Sequence, residues 1–285
     1  MWMNLIFLLL LLVIFTPAAT MLYGVSRWQA GTSRRRSRLE GARSRIQPSH
    51  HDAAELEGLP APVQGYFRAI MKDGQPMIAA AEIGQRGHFD FGRGKPRWLQ
   101  AVANQSVVTQ RPGFDWDARI RLNPVMKVFA HDSYLAGTGS LRVALLGLFP
   151  IARVPPGAEL AHAELMRFLA EAPWYPTALL PSQGVRWEAI DARSARATLT
   201  DGDRSAVLVF QFDEADLIVG VEAIGRYRAV DGRMVATPWK ARFSSYQERS
   251  GILVPTQAEV MWVLPEGPSP YWRGELTDVL YKFAA

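Results

Sequence analysis

The stretch Phe114-Asp115-Trp116-Asp117-Ala118-Arg119-Ile120-Arg121-Leu122 alternates apolar and charged residues without an exception. Successive side chains of a β-strand point to opposite faces of its sheet, so the apolar side chains share one face and the charged ones the other. One buried face and one wet face are typical of an antiparallel sheet. We therefore predict an antiparallel strand here, with its charged face in solvent.

Two Asp-Gly pairs, Asp201-Gly202 and Asp231-Gly232, each separate two runs of strand composition. Asp-Gly supplies the positive φ angles that a tight hairpin needs, so both pairs predict hairpins. The predicted strand segments in this part of the chain are 185–189, 195–200, 206–212, 223–230, 234–237, 239–246, 256–263 and 272–283. The second half of the chain is therefore predicted to be mostly antiparallel sheet.

One substantial helix is predicted among the strands, where an apolar stripe over 161–172 ends at Pro173. A shorter helical pattern follows Pro60 and Pro62 and extends to Met71. A sheet of this length cannot stay flat. The predicted fold class is α+β: a strongly curved antiparallel sheet, or half-barrel, wraps one main helix, and a transmembrane helix precedes it.

The chain begins with an uncharged run from Met1 to Ser26 that has only Leu, Ile, Phe and Val at 5–15. About 20 apolar residues cross a bilayer as a helix, and a cleaved signal would open with a positive segment that is missing here. We predict a transmembrane anchor at 1–26, an arginine-rich juxtamembrane linker at 27–55 and a single α+β domain at 56–285. A cleaved signal peptide is the alternative.

Seven arginines and one acid between Arg27 and Arg45 give this segment a charge of +6, whereas the whole chain carries +5. The remaining residues are therefore slightly acidic, which argues against a nucleic-acid partner. The arginines predicted either to be solvated or to contact anionic membrane headgroups are Arg34, Arg35, Arg36 and Arg38. The positive-inside rule places the body on the cytoplasmic side of the membrane. The absence of cysteine excludes disulfides and thiolate metal sites.

The main predicted helix carries the most suggestive charges. Glu164, Arg167 and Glu171 fall at i, i+3 and i+7, along one edge of the apolar stripe. Three interpretations remain open: an exposed ladder of ion pairs, an arginine held inside the concave sheet as a bidentate site for an anionic headgroup, or a buried structural pair. The surplus of Trp and Met suits an apolar ligand cavity. The ligand-binding candidates are Arg167, Glu171, Glu164, Trp174, Tyr175, Trp116 and Trp187.

The alternative catalytic candidates are His131 and Asp132, although adjacent strand residues point to opposite faces. No Gly-x-Ser-x-Gly or His-Glu-x-x-His motif accompanies them, and Gly137-Thr138-Gly139 lacks the rest of a nucleotide loop. No metal site and no cofactor are predicted, and an enzyme is the less favoured class. The weakly charged run 141–154 is too short for a second membrane span, so it predicts a buried strand or a loop that dips into the membrane interface.

Residues 164–181 and 184–188 resemble the signature block of an uncharacterised family of bacterial membrane-anchored proteins, known only as a domain of unknown function. The resemblance implies membrane attachment and brings no known activity. The signature residues it marks are Arg167, Glu171, Trp174, Tyr175 and Pro176. The predicted fold is also similar to the half-barrels of bacterial lipoprotein carriers, which hold acyl chains and work outside the inner membrane. That similarity therefore favours an extracytoplasmic body at the inner membrane, opposite to the arginine rule.

Three functional hypotheses follow. The first is a membrane-anchored protein that binds a lipid or another lipophilic ligand in a half-barrel cavity, with Arg167 pairing to its headgroup. The second is a hydrolase that acts on a membrane-derived substrate through His131, Asp132 and Glu171. The third is a scaffold that docks an unidentified protein partner through an exposed sheet edge.

Overall fold

The computed structural model describes residues 2–92 and 95–285, with side chains from 18 onward and those of Trp2 and Thr16. The helices are α1 (Trp2–Gly41), α2 (Ala61–Ile70) and α3 (Ala158–Glu171). The strands are β1 (Ile78–Asp90), β2 (Trp98–Val108), β3 (Gly113–Arg121), β4 (Lys127–Leu135), β5 (Thr138–Leu145), β6 (Phe149–Val154), β7 (Val185–Asp191), β8 (Ser194–Asp201), β9 (Arg204–Phe212), β10 (Ile218–Val230), β11 (Arg233–Arg249), β12 (Ile252–Leu264) and β13 (Gly267–Phe283).

All these strands form one antiparallel sheet in the order β6-β5-β4-β3-β2-β1-β13-β12-β11-β10-β9-β8-β7. Two meanders, β1–β6 and β7–β13, are joined where β1 pairs with β13. The helix α3 lies between the meanders in sequence and packs against β4 and β5 of one and β9 and β10 of the other. The predicted fold class, a curved antiparallel sheet around one main helix, is confirmed.

The two Asp-Gly hairpins are confirmed as well. Asp231 and Gly232 have φ angles of 47° and 79°, which is the pair of left-handed residues that a two-residue hairpin turn requires. Gly202, with φ of 63°, lies in the turn between β8 and β9. Local turn chemistry therefore sets the connections of these two hairpins.

The strand β3 is present where the alternating stretch predicts it, but its charged face is not in solvent. The helix α1 lies across that face, and Asp115 and Asp117 are buried beneath it. Trp28 Nε1 donates a hydrogen bond to Asp117 Oδ1 at 2.9 Å, and Arg35 Nε donates to Asp115 Oδ1 at 3.0 Å. The prediction of a wet face is wrong, because a helix distant in sequence supplies the cations and donors that these carboxylates need.

The arginines that were predicted to be solvated or to touch membrane headgroups divide into two pairs. Arg35 and Arg36 are half-buried and both form ion pairs with Asp115. Arg34 and Arg38 are exposed. Two of the four charges are therefore directed at the sheet.

The predicted transmembrane anchor rests on the apolar run at 5–15, which lies outside the described side chains. Among the side chains that are described, no helix has the apolar length to cross a membrane. The anchor therefore stays a prediction.

The weakly charged run 141–154 forms a hairpin of β5 and β6 at one edge of the sheet. On β6, Phe149 and Ile151 leave 55% and 56% of their surface exposed. The interpretation as a buried strand is therefore wrong for β6, whose outer side chains have no covering layer in the described part of the chain.

Candidate functional site

The concave face of the sheet and α3 enclose a cavity of about 440 Å³. This volume lies within the usual range of ligand pockets. Large aromatic side chains make up much of its wall: Phe89, Trp116, Trp174, Trp239, Phe243, Trp262, Tyr271 and Trp272. The cavity is therefore suited to an apolar molecule, and its polar groups decide which end of that molecule is recognised.

Arg167 joins α3 to the wall of the cavity through two carboxylates. Its Nη1 lies 2.7 Å from Asp132 Oδ2 on β4, and its Nε lies 2.8 Å from Glu171 Oε1 one turn along the helix. The guanidinium also lies 5.0 Å from the ring centres of both Phe114 and Trp116. Although burial opposes the charge, the Glu171 and Asp132 carboxylates raise the pKa of Arg167. The exposed-ladder interpretation is wrong, because all three charged side chains are largely buried.

Glu164 and Asp132 form an acidic pair beside this arginine. Glu164 Oε2 and Asp132 Oδ1 are buried, and neither atom has a hydrogen-bond partner among the described residues. Burial, and next the charge of Asp132, raise the pKa of Glu164 well above its usual range. A carboxyl group that keeps its proton is a hydrogen-bond donor, and the raised pKa of Glu164 favours this form beside Asp132.

Arg226 on β10 is a second buried cation. Its Nε donates to the carbonyl oxygen of Ala163 at 3.1 Å, and its Nη2 lies 3.5 Å from Glu164 Oε1. Its guanidinium lies 5.4 Å and 5.6 Å from the ring centres of Trp239 and Trp262. Among the described residues, Glu164 is the carboxylate within ion-pair distance of Arg226, and its raised pKa weakens this pairing.

Arg228 adds a third cation to the same wall. It lies 5.5 Å from the ring centre of Trp262, and its Nε donates to Thr237 Oγ1 at 3.1 Å. The described ion pairs do not include this guanidinium. We refer to Arg226 and Arg228, two cations on an aromatic wall, as the basic pair. Their acidic neighbour among the described residues is Glu164, whose pKa is raised.

The basic pair points inward because of a β-bulge. Val221 and Ala223 are buried, so strict alternation predicts that the even-numbered residues of β10 face outward, as the 92% exposed Ile224 does. The pairing of β10 with β11 shifts register between Ala223 and Arg226, which moves residues 226 and 228 to the inner face. Arg226 was not among the residues predicted from the sequence. The available signal was Gly225, since a glycine inside a strand often marks a bulge.

Five of the seven sequence-predicted ligand residues line the cavity: Arg167, Glu171, Glu164, Trp174 and Trp116. The indole Nε1–H of Trp174 is buried with no acceptor among the described residues. Tyr175 and Trp187 are instead core residues. The Tyr175 hydroxyl donates to the carbonyl oxygen of Phe168 at 2.7 Å, and Trp187 Nε1 donates to that of Leu179 at 2.9 Å.

The alternative catalytic pair is not assembled. His131 Nε2 bonds Asp115 Oδ1 at 2.5 Å on the outer face of the sheet, whereas Asp132 bonds Arg167 on the inner face. Their side chains therefore bond different partners on opposite faces of β4.

A larger groove of about 820 Å³ runs beside α1 on the outer face. Its charged wall includes Arg36, Asp117 and Arg119, which already form ion pairs with one another or with neighbouring residues. The inner cavity is the better candidate site, because its cations are less fully paired and its walls are apolar.

A family model described as a family of unknown function (DUF6920) matches residues 57–281. This match includes the block at 164–188 and confirms the resemblance to an uncharacterised family. No curated protein matches the chain.

Three solved structures show similarity at low identity. A putative outer membrane lipoprotein-sorting protein domain from Vibrio parahaemolyticus has 11% identity and a TM-score of 0.39, covering 72% of this chain and 86% of the other. A LolA superfamily protein from Nitrosomonas europaea has 12% identity and a TM-score of 0.28, covering 87% and 93%. A beta-barrel-like protein of the domain of unknown function DUF1849 from Brucella abortus has 11% identity and a TM-score of 0.26, covering 72% and 99%. No functional role follows from similarity at these scores.

Proposed function

We propose a function from the cavity alone, because the chain belongs to DUF6920, a family of unknown function. The proposed function is the binding of a lipophilic molecule with one hydrocarbon chain and one anionic head. The binding domain is held at a bacterial inner membrane by the N-terminal run 1–26.

The walls of the cavity support the hydrocarbon part of the proposal. Trp116, Trp174, Phe243 and Trp272 line one continuous apolar surface beneath α3. Removal of apolar surface from water contributes about 25 cal/mol for each Å², so a chain buried against these rings gains most of its affinity here.

The basic pair is the observation that carries the anionic part. A buried guanidinium whose charge is poorly neutralised is costly, and a carboxylate or phosphate offsets this cost by accepting two parallel N–H bonds. Arg226 and Arg228 lie on one strand, on either side of Tyr227, and both contact the ring of Trp262. A single anionic head that binds both cations therefore fits this wall.

Arg167, the headgroup residue expected from the sequence, is assigned a different role in this proposal. Its two close carboxylates leave it less able to receive a ligand than Arg226, so it holds α3 against β4. The unpaired Nε1–H of Trp174 is available as a donor to a ligand oxygen deeper in the cavity.

Membrane attachment rests on the uncharged run 1–26 and on the arginines after it. Arg34 and Arg38 are exposed on α1. Each basic residue near an anionic leaflet contributes about 1 kcal/mol of attraction, which adds to the insertion of the apolar run.

The experiment measures binding of a dansyl-labelled fatty acid to the full chain in lipid nanodiscs. Arg226→Gln and Arg228→Gln are each expected to weaken binding by about 10- to 100-fold, because a hydrogen bond to a charged group contributes about 1.5–3 kcal/mol. Arg242→Gln is the matched control, since Arg242 lies on the neighbouring strand β11 and its side chain faces solvent. Thermal unfolding of each variant separates a binding defect from a folding defect.

The proposal predicts one further result, which compares the acid probe with its ester. The uncharged methyl ester of the probe should bind the wild-type chain far more weakly than the acid. Equal binding of acid and ester, or wild-type affinity in both Gln variants, overturns the anionic-lipophile proposal.

A further inference from the structure

The first six strands can be aligned by one row of register partners that runs across the sheet. From β1 to β6 these residues are Gly87, Ala101, Ile120, Val128, Leu145 and Phe149. The turns between β1 and β2, between β3 and β4, and between β5 and β6 all follow this row. We refer to the end of the sheet formed by these three turns as the proximal end.

The helix α1 lies along β3, and its N-terminal part is nearest to the proximal end. Leu39 packs at Gly113, Arg35 pairs with Asp115, and Trp28 bonds Asp117. Gly24 lies against Leu146 in the turn after β5. Because α1 begins at Trp2, its first 22 residues extend beyond this contact, over a length of about 33 Å at 1.5 Å per residue.

Exposed apolar side chains surround the proximal end. Phe91 follows β1, Val125 and Met126 form the turn after β3, and Phe149 and Ile151 belong to β6. On α1, Leu22 and Tyr23 are exposed just before the helix meets the sheet. We refer to these seven residues as the apolar rim.

Basic side chains flank the apolar rim. Arg97, Arg121, Lys127 and Arg153 are exposed near the proximal end and form no ion pairs among the described residues. An apolar surface flanked by free cations matches the chemistry of a bilayer with anionic headgroups better than that of a protein surface.

The cavity reaches the apolar rim. Phe91 and Ala152 line the cavity and are also exposed, so they mark places where it opens to the outside. Phe91 belongs to the rim, and Ala152 lies next to Ile151 on β6. The opening and the exposed apolar side chains therefore occupy the same region of the molecule.

We propose that the apolar rim contacts the membrane and places the opening of the cavity at the surface of the bilayer. A lipophilic molecule then passes between the bilayer and the cavity without crossing water. This proposal rests on the anchoring part of the proposed function, but contact between the apolar rim and the bilayer can be measured without any ligand.

The absence of native cysteine allows a direct test. Single cysteines replace Phe149, Ile151 or Leu280 in the full chain, each carries an NBD fluorophore, and the protein is reconstituted in anionic liposomes that contain lipids with a nitroxide near the headgroup. Leu280 is the matched control, because it is 67% exposed and lies opposite Glu82 of β1, away from the proximal end. Amphipathic surfaces lie about 5–10 Å into the headgroup region, so quenching at 149 and 151 is expected to exceed that at 280 by about twofold or more.

The rate at which the chain takes up the dansyl fatty acid from vesicles tests whether the molecule passes from the bilayer into the cavity. The double variant Phe149→Asp with Ile151→Asp is expected to load about tenfold more slowly than Leu280→Asp, which corresponds to a barrier raised by about 1.4 kcal/mol. Its affinity at equilibrium should match that of the control, because neither side chain lines the cavity.

Alkaline extraction of the membranes separates failure of the rim from failure of the anchor. If the chain stays in the membrane pellet but labels at 149 and 151 are quenched no more than at 280, the contact surface is overturned while anchoring stands. Release of the chain by alkali overturns the anchor, and this inference with it.

Discussion

Glu164 is the residue at which the electrostatics of the cavity are most unbalanced. Its carboxyl group is buried beside Asp132, and both effects raise its pKa above the ordinary value of 4.5. A group whose pKa is raised by folding stabilises the protein fully below its unfolded pKa, and this contribution is lost as the pH rises through the folded pKa. The contribution of Glu164 to the stability of the wild-type chain should therefore decrease as the pH rises above about 4.5.

Glu164→Gln tests this assignment. The amide keeps the shape and the donor of the protonated acid but cannot ionise, so the free energy of unfolding should depend less on pH than in the wild type. Urea unfolding at a series of pH values measures the difference. Glu159→Gln is the control, because Glu159 lies on the same helix and faces solvent. Parallel pH profiles for Glu164→Gln and wild type would show that Glu164 is ionised in the folded protein.

Sequence patterns predicted individual site residues where periodicity is local. Glu164, Arg167 and Glu171 were found from helical spacing, and all three line the cavity. Arg226 was not among the predicted site residues, because no local pattern marks its face, which depends on the register shift between Ala223 and Arg226. A one-residue change of register is set by tertiary packing, and only the glycine at 225 hints at it.

At the scale of elements, Asp201 links two parts of the sheet that are far apart in strand order. Its Oδ1 accepts from Arg111 Nε, in the turn between β2 and β3, at 2.5 Å, and its Oδ2 accepts from the Tyr134 hydroxyl, on β4, at 2.7 Å. Asp201 itself ends β8, near the opposite edge of the sheet. These bonds hold the second meander over the first and so maintain the curvature around α3.

Asp201→Ala should destabilise the protein by about 2–3 kcal/mol, because it leaves the buried Tyr134 hydroxyl without its charged acceptor. Asp203→Ala in the same turn should have little effect, since its ion pair with Arg204 is on the surface. Chemical denaturation of both variants measures the comparison, and hydrogen exchange should show faster exchange in β8 and β9 for Asp201→Ala. Equal stability of the two variants would mean that the link contributes nothing to the curvature.

Helices and hairpins were predictable where a local sequence pattern indicates them. The stripe over 161–172 and the two Asp-Gly turns correspond to α3 and to the hairpins of β8–β9 and β10–β11. The exposed edge strand β6 and the docking of α1 on β3 were not predicted, because both depend on which elements lie next to each other in space. The buried Asp115 is the clearest case, since its partners Arg35 and Arg36 lie about 80 residues earlier.

At the scale of the whole molecule, α1 is a structural part of the sheet as well as the proposed route to the membrane. Trp28 and Leu39 are buried against the outer face. Burial opposes the charge of Asp115, but its bond with His131 and the charge of Arg35 lower its pKa. A lowered pKa stabilises the folded state above the unfolded pKa of the group, and this contribution is lost as the pH falls through the folded value.

We therefore expect two shortened chains to differ in stability, although neither contains the apolar run. A chain that begins at Val25 keeps Trp28, Arg35 and Leu39, whereas one that begins at Ile46 loses all three. Full burial of one large apolar side chain contributes about 1.5–3 kcal/mol, so the shorter chain should be less stable by about 3–6 kcal/mol at neutral pH. The difference should narrow in acid, as protonation of Asp115 weakens its ion pair with α1 in the longer chain.

Urea unfolding of the two chains without detergent, at neutral and at acidic pH, measures this difference. The same comparison in the background of Asp115→Asn is the control, because this variant removes the charge that α1 neutralises while keeping the shape of the side chain. A smaller gap between the two chains in that background would assign the gap partly to the ion pairs of Arg35 and Arg36. Equal stability of the two original chains would contradict a rigid α1, and the opening of the cavity would then lose its fixed position relative to the membrane.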